Sequence, residues 1–329
     1  MAKGVLPVNL YRLNENNNYR QAHEWDDADW IRFDCPSAEE IENLHRRTGI
    51  PRDFITSALD RYEIPRQEYF RTHDGEDVHL IVIQYPLAKP NETNSVKYET
   101  LPLAIILHPD AVFTISSTPL PLLEDIAQNN FPSLETDLAH GRIEDSHLIL
   151  KILWKVINHY IQAITIIDDT IDHMEKNIMR TTKKDSFHQL ISIHKSLVYF
   201  HTGITKNHEQ VEELNAIDKI ITSKLDEELL HDITVYSRQA TSMAVESDEL
   251  ISHLSEIFSS TIAHNLNIIM KFLTSLTILL AVPEVIGALW GMNVPVPMEE
   301  NPSMFTWLVL VIIAVSAIIV LWFKKKDFF

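Results

Sequence analysis

Residues 272–290, FLTSLTILLAVPEVIGALW, and residues 304–323, MFTWLVLVIIAVSAIIVLWF, decide the fold. Each is roughly 19 to 20 residues, hence roughly 30 Å of helix, which matches the hydrocarbon core of a bilayer. The second stretch carries no charge and reads as a membrane helix. The first contains Pro283 and Glu284 and still meets the length requirement. Lys271 stands at the entry to the first stretch, and a basic collar, Lys324, Lys325 and Lys326, follows the second. The connection, residues 291–303, has neither Lys nor Arg and carries two acids, Glu299 and Glu300. The positive-inside rule therefore places both termini in the cytoplasm and the short loop outside. Trp290, Trp307 and Trp322 lie near the ends of the spans, where amphipathic rings prefer to sit. Two helices cannot enclose a hydrophilic path, so an ion pathway here requires a ring of copies, each giving one helix to a central pore.

Upstream of the first span the chain reads as helix for a long way. From about Leu225 to Pro283 there is neither Pro nor Gly, so a third cytoplasmic helix runs on into the membrane. Some sixty residues of helix span roughly 90 Å, too long for a compact domain, and are expected to form a stalk. Before it, residues 143–179 place Leu150, Leu153, Trp154, Ile157, Ile161, Ile164, Ile167 and Ile171 at helical spacing. A break at residues 181–184 separates them from a second helix over 185–214.

The first 142 residues read as mixed α/β. Residues 30–34, WIRFD, form a short strand, and Ser37 and Glu40 have capping-box spacing for a helix that Gly49 ends. Residues 78–85, 101–107 and 111–116 are short, apolar and rich in β-branched residues, so they read as strands. His108-Pro109-Asp110 turns the last two into a hairpin.

Composition narrows the function. The formal net charge of −18 excludes a basic footprint for nucleic acid and is compatible with cationic ligands. A single cysteine, Cys35, forbids an internal disulfide and suits a reducing cytosol. Residues 1–20 contain no apolar h-region, so no signal peptide is expected. Seven glycines are few for a Gly-rich nucleotide fold. The sixteen histidines are scattered, without zinc-ligand spacing. Acids cluster near the helix junctions, at Asp168, Asp169, Asp172 and Glu175 and again at Glu209, Glu212, Glu213, Asp226, Glu227 and Glu228. Such a face is ordinarily a solvated one, and near a pore mouth it also concentrates cations. No catalytic constellation stands out, and the chain is not expected to be an enzyme.

The chemistry gathers at Gly291-Met292-Asn293, directly after the first span. With the short acidic loop, second span and Lys cluster that follow, this motif resembles the CorA family of magnesium and cobalt transporters. The resemblance is strongest over 267–329 and reappears at 30–50 (WIRFDCPSAEEIENLHRRTGI) and 58–70 (ALDRYEIPRQEYF). It implies a funnel-shaped homopentamer in the cytoplasmic membrane, with an α+β cytoplasmic domain (1–142), long stalk helices (143–270) and a transmembrane domain (271–329). It also implies a selectivity filter of Gly291, Met292 and Asn293. Magnesium dehydrates reluctantly, so a ring of neutral amide oxygens from Asn293 would hold the hydrated ion weakly enough to release it.

Pore-lining positions should recur at steps of three and four: Asn267, Met270, Leu273 or Thr274, Thr277, Ala281, Glu284, Ala288 and Gly291. Asn267 matches a family pore asparagine, and Met270 and Leu273 match its apolar constriction. Glu284 departs from the family's small or hydroxyl residue after the proline. A carboxyl inside a span is costly and marks a functional candidate, so a ring of Glu284 would be a cation site that tunes selectivity or binding strength. Family members close when cytoplasmic magnesium fills sites between subunits. Asp232 matches one acid of that site and Glu256 a second acidic position, but Pro86 and Leu87 stand where the opposing aspartate belongs. Asn91 and Glu92 are its available substitutes. The expected activity is influx of hydrated magnesium, with cobalt or nickel as further ions, in a homopentamer that contacts lipid and divalent cations. Alternatives are a zinc transporter of the same superfamily, coupled to protons, and a non-conducting membrane-anchored sensor.

Overall fold

The computed structural model describes residues 8–14, 18–72, 75–90, 96–128, 147–178, 184–214, 220–293 and 303–325. The chain divides into two compact units, 1–254 and 255–329.

The first unit is built on one seven-stranded sheet. In chain order the elements are β1 (Val8–Leu13), β2 (Tyr19–Gln21), β3 (Trp30–Asp34), α1 (Ala38–Thr48), α2 (Arg52–Thr56), β4 (Arg66–Arg71), β5 (Asp77–Pro90), β6 (Val96–Leu107), β7 (Val112–Ser116) and α3 (Pro121–Ala127). The strand order is β2-β1-β3-β7-β6-β5-β4. Every pairing is antiparallel except β3 with β7. Helix α1 carries the expected capping box: the Glu40 amide donates to Ser37 Oγ at 3.3 Å, and the Ser37 amide donates to Glu40 Oε2 at 2.7 Å. Gly49 ends the helix at φ 70°, a left-handed conformation that glycine adopts without strain.

The central strands are continuous apolar runs because both faces of the sheet are covered. On one face Val78, Leu80 and Val82 of β5 join Ile31, Phe33, Ala104, Ile106 and Phe113, with Leu44 of α1 and Phe54 and Ile55 of α2. Ile81 and Ile83 alternate with these residues, so they belong to the opposite face, and they are fully buried as well. On that side two long helices pack, α4 (Leu148–Ile178) against β5 and α5 (Lys184–Glu213) against β5 and β6. The apolar series read from the sequence of α4 is buried throughout, save Ile161, which is half-buried.

β5 extends beyond the run visible in the sequence, through Pro86 to Pro90, and β6 begins earlier, at Val96, and includes Pro102. Proline cannot donate to a ladder, so it is tolerated only where a strand has one neighbour. Pro86 and Pro102 meet that condition: β4 reaches along β5 only to Val82, and β7 along β6 only to Leu103. Beyond β4 the side chain of Asn207 on α5 replaces the missing strand. Its Oδ1 accepts from the Gln84 amide at 2.8 Å, and its Nδ2 donates to the Gln84 carbonyl at 2.7 Å. Gly203, one turn earlier on α5, permits this approach, because a Cβ there would lie 2.6 Å from Tyr160 Oη and 3.0 Å from Gln84 Oε1.

Two buried charges tie the unit together. Arg32, 3% exposed, pairs with Asp34 at 2.8 Å and with Glu124 of α3 at 3.2 Å. Glu99 of β6 is held by Arg61 at 2.5 Å, Lys89 at 2.6 Å and Lys97 at 3.0 Å. Burial alone would raise the Glu99 carboxyl. The hydrogen bonds from Lys89, Lys97 and Arg61 together outweigh it and hold the group down at about 2.

Helix α6 (Lys224–Trp290) begins in the first unit and ends in the second without a break, as the absence of Pro and Gly before Pro283 predicts. Thr222, Ser223 and Asp226 cap its start, with Asp226 Oδ2 accepting from the Ser223 amide at 3.0 Å and Ser223 Oγ accepting from the Asp226 amide at 3.1 Å. From Ile233 to the end of the first unit its buried positions are Ile233, Ser237, Ala240, Ala244, Ser247, Ile251 and Leu254, a repeat of 3.5 residues. Trp154 of α4 packs edge-on against Tyr236, and Asp168 contacts Ser247 Oγ at 2.5 Å. The second unit holds the end of α6 and helix α7 (Met304–Lys325).

Candidate ion pathway

Among the described residues, two helices, α6 near its end and α7, are long and apolar enough to cross a membrane, with mean hydropathy of 2.0 and 2.9 over their best windows. A core helix of similar composition would be mostly buried. Here 6% and 0% of those windows are buried within the chain, so their apolar surface faces outward.

The positions buried or partly buried form two stripes. On α6 they are Lys271, Ser275, Leu279, Val282, Pro283, Ile286 and Trp290. On α7 they are Met304, Leu308, Ile312, Val315, Ser316, Ile319 and Phe323. Both run at steps of three and four, as in two helices packed side by side in one unit.

The positions expected to line a pore take the other side of α6. At 3.6 residues per turn, Asn267, Met270, Leu273, Thr277, Ala281, Glu284, Ala288 and Gly291 share an arc of about 120°, and the partly buried stripe occupies the opposite arc. All eight are exposed in the single chain. Thr274 falls in the same arc and is exposed as well. The Thr277 hydroxyl donates to the Leu273 carbonyl at 2.8 Å, so its donor is spent on its own helix.

Gly291, Met292 and Asn293 leave the helix in a turn. The Gly291 amide still reaches the Gly287 carbonyl at 3.0 Å, and a Cβ at Gly291 would sit 3.3 Å from that oxygen. Asn293 is exposed. Lys324 and Lys325 end α7, where cations complement the carbonyl end of a helix. Glu299, Glu300 and Lys326 lie outside the described residues.

The regulatory candidates are more dispersed. Asp232 is half-buried in the first unit and Glu256 exposed in the second, and each already has a polar or electrostatic partner. Residues 85–90, in the stretch expected to carry the opposing acid, lie in β5, and the charged residue among them is Lys89, bound to Glu99. Asn91 and Glu92 lie outside the described residues. Among the described residues no three His, Cys, Asp or Glu side chains converge as a metal site within one chain. The acid cluster of α4 does interact: burial raises the Asp168 carboxyl, the Ser247 hydrogen bond opposes this, and Glu246, Asp172 and Asp169 reinforce it. Periodicity alone did not separate the two faces of α6 near the membrane; the burial stripe does.

The family model of CorA-like Mg2+ transporter proteins matches residues 25–325. The chain belongs to the CorA family. The cobalt/magnesium transport protein CorA of Methanocaldococcus jannaschii is 26% identical over 301 residues, covering 91% of this chain and 90% of the relative. That of Thermotoga maritima is 23% identical over 185 residues, 55% of this chain and 52% of the relative. The complete structure of the M. jannaschii transporter superposes with a TM-score of 0.76 over 99% of both chains, at 23% identity. The full-length CmaX protein gives 0.65 at 18% identity, covering 98% of this chain and 99% of that one. The cytoplasmic domain of ZntB from Vibrio parahaemolyticus gives 0.57 at 10% identity, over 78% of this chain and 98% of that domain. These likenesses establish the fold, and membership makes the protein a CorA-family divalent cation transporter of the membrane, a transporter family and not an enzyme family.

Proposed function

We propose that copies of this chain assemble as a homopentamer in the cytoplasmic membrane and pass hydrated magnesium inward through a pore lined by α6. The exposed arc from Asn267 to Gly291, lying opposite the stripe that packs in the unit, carries this reading. A helix in lipid needs no such arc of Asn, Thr, Ala, Glu and Gly. A helix lining a shared aqueous path does. Gly291-Met292-Asn293 ends that arc, and the Asn293 amide oxygens supply neutral acceptors for the ion's water shell. Met270 and Leu273 narrow the inner half as an apolar gate. Both termini are cytoplasmic, and Lys324 and Lys325 sit at the inner surface. An inside-negative potential supplies roughly 2.3 kcal/mol per charge per 100 mV, doubled for a dication. Cytoplasmic divalent ions close the pore through carboxylates that include Asp232 and Glu256.

The test is magnesium entry into proteoliposomes under an inside-negative potential, comparing the native chain with Asn293→Ala. Entry in the native protein and its loss in the variant is the expected result. A folded, oligomeric native protein that passes no magnesium would overturn the reading in favour of zinc transport or a non-conducting sensor.

A further inference from the structure

Glu284 is the sole charged side chain between Phe272 and Asn293, and none stands between Ser303 and Phe323. It is exposed on the arc assigned to the pore, and among the described residues it makes no hydrogen bond and no ion pair. Its neighbours one turn below and above on that arc are Ala281 and Ala288, which leave space around the carboxylate and offer no donor. The nearest cation on its own helix, Lys271, is thirteen residues away, roughly 20 Å along the axis. Helix α7 brings no cation before Lys324. A lone carboxylate in an apolar span is too costly to persist without a partner. The described residues of the chain supply none, so the partner comes from the path itself.

We infer that Glu284 is a second cation station of the pore, in series with Asn293, which holds cobalt- or nickel-class dications by direct carboxylate coordination more tightly than magnesium. The inference rests on the pore reading proposed above. The two stations lie nine residues apart, on the order of 13 Å along the axis. They differ in kind. Asn293 offers neutral oxygen to a hydrated ion, whereas Glu284 offers charged oxygen that can replace water. Magnesium gives up its water reluctantly. Affinity for a given oxygen or nitrogen site rises along the first-row dications through cobalt to nickel. A carboxylate ring therefore retains those ions longer than magnesium and makes them competitors for magnesium passage.

The experiment is calorimetric cobalt binding to the full-length protein in detergent, for the native chain, Glu284→Gln and Glu284→Asp. The native chain and the Asp variant should show a class of tight sites that weakens by about tenfold or more in the Gln variant. Equal binding in the native chain and Glu284→Gln, or no cobalt binding in the native chain, overturns the inference. The Asp variant keeps the carboxylate, so its retained binding separates loss of charge from loss of folding. In proteoliposomes, half-inhibition of magnesium entry by cobalt, taken relative to each variant's own uninhibited rate, should move up about tenfold in Glu284→Gln. An unchanged half-inhibition also overturns it. Glu284-dependent cobalt binding in a native protein that passes no magnesium would defeat the channel reading and leave the station standing.

Discussion

Replacing Glu99 with Gln removes the one anion among Arg61, Lys89 and Lys97. In the native chain the carboxylate is 8% exposed and its ionisation is held at about 2, against an ordinary value of 4.5. A folded value below the unfolded one stabilises the fold above pH 4.5, and the stabilisation is lost as pH falls through the folded value. The difference corresponds to about 3 kcal/mol at neutral pH, with roughly half gone by pH 3 and nearly all by pH 2. Glu99→Gln forfeits it at every pH. It also leaves Lys89 and Lys97 unneutralised, and these stand directly opposite each other in the β5–β6 register, where like charges destabilise. Thermal unfolding of the full-length protein in detergent, followed from pH 7 to pH 2, gives the comparison. The native chain should be clearly more stable near neutrality, and the gap should close towards pH 2. Profiles that stay parallel down to pH 3 would refute the reasoning, because the carboxylate would then be titrating alike in folded and unfolded chains.

Arg32→Ala should cost about 3–5 kcal/mol, since it strands Asp34 against an almost fully buried site, and an unchanged melting temperature would contradict that. Gly203→Ala should cost about 1–3 kcal/mol by driving a methyl against Tyr160 Oη. The loss should shrink in a Tyr160→Phe background, and an equal loss in both backgrounds would show that the hydroxyl is not the obstacle.

Local signals were readable wherever they repeat along the chain. The uninterrupted run to Pro283 gave the long helix, the apolar lengths gave the spans, and Ser37 with Glu40 and Gly49 bounded α1. The edge strands β2 and β4, and β1 beside β2, escaped notice because they are short or polar: RQEYFR sets two aromatic residues among charged and polar ones and carries no apolar run. β5 looked shorter than it is because the apolar run stops at Pro86, and β6 because residues 96–100 (VKYET) are largely polar. The grip of Arg61, Lys89 and Lys97 on Glu99 depends on strand register, and the Asn207–Gln84 bonds join residues more than a hundred positions apart. Neither leaves a local trace. On α6, residue identity and spacing gave the arc proposed to line a pore, and burial shows that the face packing within the unit lies opposite it.

The prolines of the β5–β6 arm also bear on how copies of this chain avoid one another. Residues two apart in a strand point their amides the same way, so Gln84, Pro86, Ala88 and Pro90 share the outer side of β5. Asn207 occupies the first, and two of the rest have no N–H. Over residues 98–102 of β6 the outer amides fall at Tyr98, Thr100 and Pro102; Ser196 accepts from the Tyr98 amide at 3.0 Å, and Pro102 has none to give. An incoming strand would meet Ala88 on one side and Thr100 on the other, and could not zip along either. Proteins that gather several copies at one membrane site face the hazard of edge-to-edge polymerisation. Here that hazard is removed at the backbone, leaving side-chain surfaces to determine how neighbours meet.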